Sequence, residues 1–354
     1  MSDNITTNIE ADNQNEVAIL IEGNRFRFWD SASLSFSIDS FDSFSFSGPW
    51  EPDVAIFREA FVPFTYKDVA VYIGGEIFLN GTLVPVNPAL TGDSRTFSVG
   101  GYSRPGVLND CPFSVDDYPI EFNKNTIAEI AETIAKLFDL GFEINGEPGA
   151  RFERVAAKPE QKVLDFIIDL AKQRNFLVSN DLEGSLLLDR PETEFSGVSL
   201  KEGELPFLGG SPDYNAQQYY SEIAGLTPTK TATDADSYKL NNTLLDVKRP
   251  FAFEVKDAEN ADLQTATKAK MSRMFGDSIS IPVNVQGWRD PSGEVWQPNK
   301  IIKLLSPGLM VYKETEFLIR NVSLTRGTAD TATLELVLPE SYSGEIPGSL
   351  PWQE

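Results

Sequence analysis

Carboxylates are the commonest groups in this chain that could do chemistry: 53 Asp plus Glu stand against 30 Lys plus Arg in 354 residues, with no His and a single Cys. Two carboxylates set across a sugar ring can hydrolyse a glycosidic bond, so counting alone leaves a carboxylate-dependent cell-wall hydrolase open as an alternative. No local spacing singles out a pair, because the acids fall in turns, at helix starts and at alternating strand positions. The absence of histidine removes the usual general base, serine and cysteine triads, and histidine-bearing zinc sites. Cys111, in "VLNDCPF", has no disulfide partner and no His to activate it, and reads as a small, buried, inert side chain. The spaced acids of "TDADSYKLNN" lack the turn glycine of a calcium loop. There is no Gly-x-Gly-x-x-Gly and no Gly-Lys pair, so no dinucleotide fingerprint or Walker loop exists, and no catalytic residue, cofactor or metal is expected.

Aromatic residues are the other candidates. In "GWRDPSGEVWQPNK" two tryptophans, Trp288 and Trp296, frame a turn at Pro291-Ser292-Gly293. Such rings can stack a sugar; the alternative, favoured here, is that they cover one end of a β structure as core. The phenylalanines of "SLSFSIDSFDSFSF" alternate with serine and are expected to be core rather than a ligand platform.

The elements around these residues are mostly strands. Leu34, Phe36 and Ile38, then Phe44 and Phe46, recur with a period of two. "DVAVYIGGEIFLNGTLVPV" reads as two strands turning at Gly74-Gly75, with a further turn at Asn80-Gly81. Two helices follow. The first opens on a Thr126–Glu129 capping box, shows an apolar face of Ile127, Ile130, Ile134, Leu137 and Phe138, and is expected to stop at Gly141. The second is expected to open near Pro159 and carries Val163, Phe166, Ile167 and Leu170. A hairpin turning around Asp181–Gly184 closes this α+β segment. Beyond Phe195 short β runs return. A polar stretch, "TPTKTATDADSYKLNNT", reads as a mobile loop. Asp257 to Phe275 reads as a third helix, with Asp257, Glu259 and Asp262 near its start, Lys268, Lys270 and Arg273 near its end, and Gly276 as the stop. The last residues, "SYSGEIPGSLPWQE", carry no packing signal.

The expected organisation is a flexible arm (1–16), a first β-barrel domain (17–116), an α+β insert (117–194) and a second β-barrel domain (195–235 and 277–340). A loop-helix insertion (236–276) interrupts the second barrel, and a tail (341–354) ends the chain. A net charge of -23 argues against a grip on nucleic acid, which needs clustered Lys and Arg. No apolar run suits a bilayer crossing, and no membrane insertion is expected.

In order and spacing, these features resemble the baseplate hub proteins of contractile-tailed phages, the Mu-type tail proteins related to late control gene D products and secretion-system spike hubs. The resemblance rests on "VGGYSRPGVLNDCPF", with Gly101, Leu108, Asp110 and Cys111, although Tyr102 stands where Arg is common. It continues through "LAKQRNFLVSNDLEGSLLLDRP" and "YNAQQYYSEIAG", and ends on Gly287, Trp288, Gly293, Trp296, Pro298 and Asn299. It implies a structural, non-enzymatic hub: a mainly β chain with an α+β insert and two tube-type β-barrels, three copies closing into a pseudo-sixfold ring. The implied partners are the chain itself, a central spike, a tail tube or tube initiator, a tape-measure protein and baseplate wedge proteins. DNA would pass through the lumen without specific binding. The implied place is the virion tail baseplate, assembled in host cytoplasm. A hub of a genome-free injection particle or secretion spike is the neighbouring alternative.

Overall fold

Alternating apolar and polar residues put one face of each strand into a core. The computed structural model describes residues 9–27, 29–227, 236–255, 260–345 and 348–353. The first region holds β1 (Val17–Ile21), β2 (Asn24–Phe26), β3 (Ser31–Ser37), β4 (Ser43–Pro49), the short helix α1 (Ala55–Ala60), β5 (Asp68–Ile73), β6 (Glu76–Thr91) and β7 (Ser94–Ser103). As the alternation predicts, Leu34, Phe36, Phe44 and Phe46 are core.

A turn at Asn80-Gly81 does not form. β6 runs straight through these residues, pairing first with β5 and then with β7. A Cβ on Gly81 would strike the Tyr102 carbonyl, so this glycine permits close approach of β7. The Asn80 side chain donates to the Leu182 carbonyl at 2.8 Å.

The short α2 (Val107–Asp110) leads into the insert, which contains β8 (Glu121–Asn125), α3 (Ile127–Leu137), β9 (Phe142–Ile144), β10 (Phe152–Ala156), α4 (Val163–Gln173), β11 (Leu177–Asn180) and β12 (Leu186–Asp189). The capping box is present: Glu129 N–H donates to Thr126 Oγ1 at 3.2 Å and Thr126 N–H to Glu129 Oε2 at 2.9 Å. Two helix boundaries differ from expectation. α3 ends at Leu137, with Asp139 rather than Gly141 taking the left-handed conformation at φ 54°. α4 starts after its N-cap Lys162, not near Pro159. The apolar faces of both helices close a separate core over Phe152, Leu186 and Leu188.

The second region begins with β13 (Phe195–Lys201), β14 (Phe207–Gly210) and β15 (Asp213–Tyr214). An excursion then supplies β16 (Glu222–Leu226), β17 (Ser237–Asn241), β18 (Pro250–Glu254) and α5 (Asn260–Gly276), before β19 (Ile279–Gln286), β20 (Ile301–Ser306), β21 (Val311–Arg326), β22 (Asp330–Val337) and the short α6 (Glu340–Ser343). β16 pairs with β17 and β18 rather than with the large sheet, so the excursion starts before residue 236. Part of the expected polar loop is therefore strand β17; residues 228–235, like Asp257 and Glu259, lie outside the described residues. Gly276 is the last residue of α5, and a Cβ there would lie 2.6 Å from Ser341 Cβ, so it lets α6 approach.

One fourteen-stranded sheet runs through both β regions, in the order β14-β19-β22-β21-β3-β4-β7-β6-β5-β1-β2, with β13, β15 and β20 as branches. This corrects the expectation of two closed barrels: among the described residues neither region closes on itself. The reason is the partner choice of β3, which pairs antiparallel with the far half of β21, Val322 facing Phe36 and Leu324 facing Leu34. The fold is mainly β with an α+β insert.

Described residues near both ends of the chain also pack. Ile9 N–H donates to the Gly75 carbonyl at 2.7 Å, and the Arg289 guanidinium donates to the Gln14 carbonyl at 2.6 Å. At the other end, Tyr342 and Leu350 are buried and Trp352 sits edge-on to Tyr214 at 4.9 Å. Residues 9–16 and most of 341–353 are thus part of the packed structure rather than free ends.

Candidate assembly surfaces

The two groups of motif residues occupy two separate joints. Gly101 lies in β7 opposite Phe44, where a Cβ would come within 2.8 Å of the ring. Leu108 is fully buried in the core of the insert. Asp110 accepts a 2.5 Å hydrogen bond from the Tyr102 hydroxyl, which burial and this carboxylate push to a higher pKa. Tyr102 therefore has a local structural partner of its own. Cys111 is half-buried, not buried as expected; its backbone ties α2 to α4 through Val163 N–H at 3.1 Å. These residues form the passage from the first region into the insert.

The tryptophan-framed turn organises the second region. Trp288 is 0% and Trp296 2% exposed. Trp288 Nε1 donates to the Thr325 carbonyl at 3.1 Å, and the Arg326 guanidinium lies 4.7 Å from its ring centre. Trp296 N–H donates to the Trp288 carbonyl at 3.0 Å. Between them Asp290 Oδ1 accepts from Ser292 N–H at 2.8 Å and Ser292 Oγ at 2.6 Å, and Gly293 takes φ 92°. Gly287, at φ 79°, makes the bend before Trp288. Buried on all sides, the two rings are packing residues, not a sugar platform. Pro298 and Asn299 leave the turn toward the insert. Asn299 Nδ2 donates to the Arg190 carbonyl at 3.0 Å, and its Oδ1 accepts from Glu192 N–H at 2.9 Å.

Sequence reading missed the residues that hold the insert against the sheet. Asn180, at the end of β11, accepts from Asp42 N–H at 2.9 Å and Ser103 Oγ at 2.8 Å, and donates to Asp42 Oδ2 at 2.9 Å. Asp42 keeps some surface as a residue, yet its carboxyl is enclosed at this joint, and burial raises its pKa to about 7 against the opposing effect of the Asn180 amide. On the other flank Arg273 of α5 pairs with Asp39 at 2.9 Å and donates to the Phe176 carbonyl at 3.0 Å, while the Tyr342 hydroxyl also reaches Asp39. Nearby, Arg320 pairs with Glu335 and with Asp277, the latter at 3.1 Å. A cleft of about 340 Å³ between insert and sheet, walled by Phe36, Asp42, Phe78, Asn180, Pro298 and Asn299, is the crevice left by this docking. The partners of Asp42 and Asp39, namely Asn180, Arg273 and Tyr342, lie 138 to 303 residues away, and no local signal marks them.

Among the described residues, two of the strand edges left open in the large sheet stand out. β14 pairs only with β19, and the far half of β6, from Val86 to Thr91, pairs only with β7. Exposed apolar side chains stand on or beside both: Leu90 at 73% on β6, Leu208 at 52% on β14 and Leu205 at 73% just before β14. Met310 and Tyr312 add to the patch beside β14, where Glu202 Oε2 accepts from Gly308 N–H at 2.8 Å and holds the two loops together.

This architecture is found in tail and secretion-spike proteins. A 43 kDa tail protein of prophage MuSo2 from Shewanella oneidensis superposes with a TM-score of 0.80 at 20% identity, over 93% of this chain and all of that one. A tail protein from Neisseria meningitidis MC58 gives 0.76 at 16% identity, over 92% of this chain and 98% of that one. An E. coli component of the type VI secretion system, described as structurally similar to T4 bacteriophage tail proteins gp27 and gp5, gives 0.53 at 12% identity, over 92% of this chain and 75% of that one. Within this class the resemblance is to a hub. Residues 105–190 match the family "Baseplate hub protein gp44-like, second domain". The chain is 22% identical over 341 residues to baseplate hub protein gp44 of Escherichia phage Mu, covering 89% of this chain and 85% of that protein. The resemblance to baseplate hubs read from the sequence holds.

Proposed function

We propose that this chain is a structural, non-enzymatic baseplate hub of a contractile phage tail, three copies closing into a ring that joins a hexameric tail tube to a trimeric central spike. The observation that carries this reading is a duplication in the sheet. In the first region the strands run β3-β4-β7-β6-β5-β1, every neighbour antiparallel. In the second they run β14-β19-β22-β21-β20-β13, again antiparallel except for the final pair. The duplicated strands repeat in the same sequence order too. Two like units per chain and three chains make six, the number that matches a hexameric tube to a trimeric spike, and homo-oligomers generally close with point-group symmetry.

In this reading the two units are half-open on their own and close as tube walls only in the ring. The insert and the excursion ending in α5 lie outside the duplicated strands, free to meet wedge, tape-measure or tube-initiator proteins. Gly101, Leu108, Asp110, Cys111 and the residues from Gly287 to Asn299 act as fold determinants at the joints. The -23 charge suits a lumen through which DNA passes, since a wall rich in carboxylates holds no phosphate. The likeness to a type VI component supports a second reading, the same ring in a particle without a genome. Purified particles separate the two by whether nucleic acid is present.

Solution mass together with negative-stain images tests the main reading: a three-copy ring with a central opening is expected. A single copy at every concentration, with no opening in the images, removes it.

A further inference from the structure

The duplicated units also say which surfaces of neighbouring copies meet. Matching the units strand by strand makes β3 the counterpart of β14, and β6 the counterpart of β21. The second match extends to detail. Both strands have 16 residues, and both break register midway against the next strand, β6 between Leu83 and Val86 and β21 between Ile319 and Asn321. Inside the chain the two units are joined by β3 lying along the far half of β21. The corresponding joint, β14 along the far half of β6, does not form within one chain, and each of these two stretches has a partner on one side only.

We propose that in the assembled ring β14 of one copy lies along the far half of β6 of the next, so that the joint within a chain is repeated between chains. The partner is a second copy of this chain, and the inference rests on the ring reading above. The surfaces suit each other. Leu90 on β6 and Leu205 and Leu208 on and beside β14 are exposed in the single chain, whereas apolar residues of the internal joint, Leu34, Phe36, Val322 and Leu324, are buried. Large exposed apolar side chains grouped at an open edge mark an interaction surface. Pro85 and Pro88 remove two backbone donors from β6, which blunts that edge toward arbitrary strands. The seam is then specified by apolar side chains more than by a full ladder. The contact is head-to-tail, since different surfaces meet, and such contacts either close into rings or run on as filaments.

Cross-linking tests the seam. In a Cys111→Ser background, Leu90→Cys together with Leu208→Cys is oxidised, with Leu90→Cys plus Val115→Cys as control, Val115 being exposed away from both edges. The expected result is covalent dimers and trimers for the first pair only. In parallel, Leu90→Asp and Leu208→Asp, at exposed positions that leave folding intact, are expected to raise the concentration needed for assembly at least tenfold with an unchanged melting temperature for the single chain. If the unsubstituted chain forms a trimer while the Leu90/Leu208 pair gives no cross-link and both Asp variants assemble normally, the seam is wrong and the ring stands. If the unsubstituted chain is a single copy throughout, both fall.

Discussion

Trp288 and Trp296 illustrate how far a residue can be read before its fold is known. Spacing and turn chemistry pointed to a framed turn, and burial of both rings follows from it. The truncations Trp288→Ala and Trp296→Ala each leave a large void and are expected to destabilise by roughly 3–5 kcal/mol, read by chemical denaturation. Full retention of stability with lost partner binding would mean the rings work at a surface. Asp42 was not legible at all, because its role depends on Asn180, far along the chain. Its folded pKa of about 7 lies above the unfolded carboxylate value, so its protonated form favours the folded state and that contribution is lost as pH rises through 7. Asp42→Asn keeps an oxygen to accept from Asn180 and removes the charge. The variant should therefore melt higher than the parent above about pH 7, with the difference gone below ~4, near the unfolded pKa. A constant difference across that range would show that Asp42 is ionised without penalty.

Elements were legible where a local rule fixes them. The capping box between Thr126 and Glu129 was predicted and is present, and Thr126→Ala is expected to cost about 0.5–2 kcal/mol by thermal or chemical unfolding, since it orphans the Glu129 amide. An unchanged midpoint would mean that packing of the apolar face alone holds α3. Asn80-Gly81 misled because a turn-forming pair also serves where two strands crowd; the Tyr102 carbonyl that demands the glycine belongs to another strand. Gly141 misled in a similar way: it stands where a Cβ would lie 2.5 Å from Ser185 Oγ, so close approach of another element, rather than helix termination, explains it. Gly276 does end α5, and it also lets α6 approach.

For the whole molecule, composition and alternation indicated the class, mainly β with an α+β segment, but not closure. Whether a sheet shuts into a barrel depends on which distant strand its edge strand chooses, and periodicity within β3 is the same whether its partner is β1, β2 or β21. The packing of the chain ends escaped for the same reason: Trp352 and Tyr342 find their partners, Tyr214 and Asp39, only in three dimensions.

The six residue pairs between β3 and β21 stitch the two halves edge to edge. A joint of that kind resists sliding far better than a flexible hinge would, because the strands must shear several hydrogen bonds together. The seam therefore couples the two halves mechanically. In the ring proposed above, a push delivered to one half would be carried through this seam into the other, as a joint between tube and spike requires.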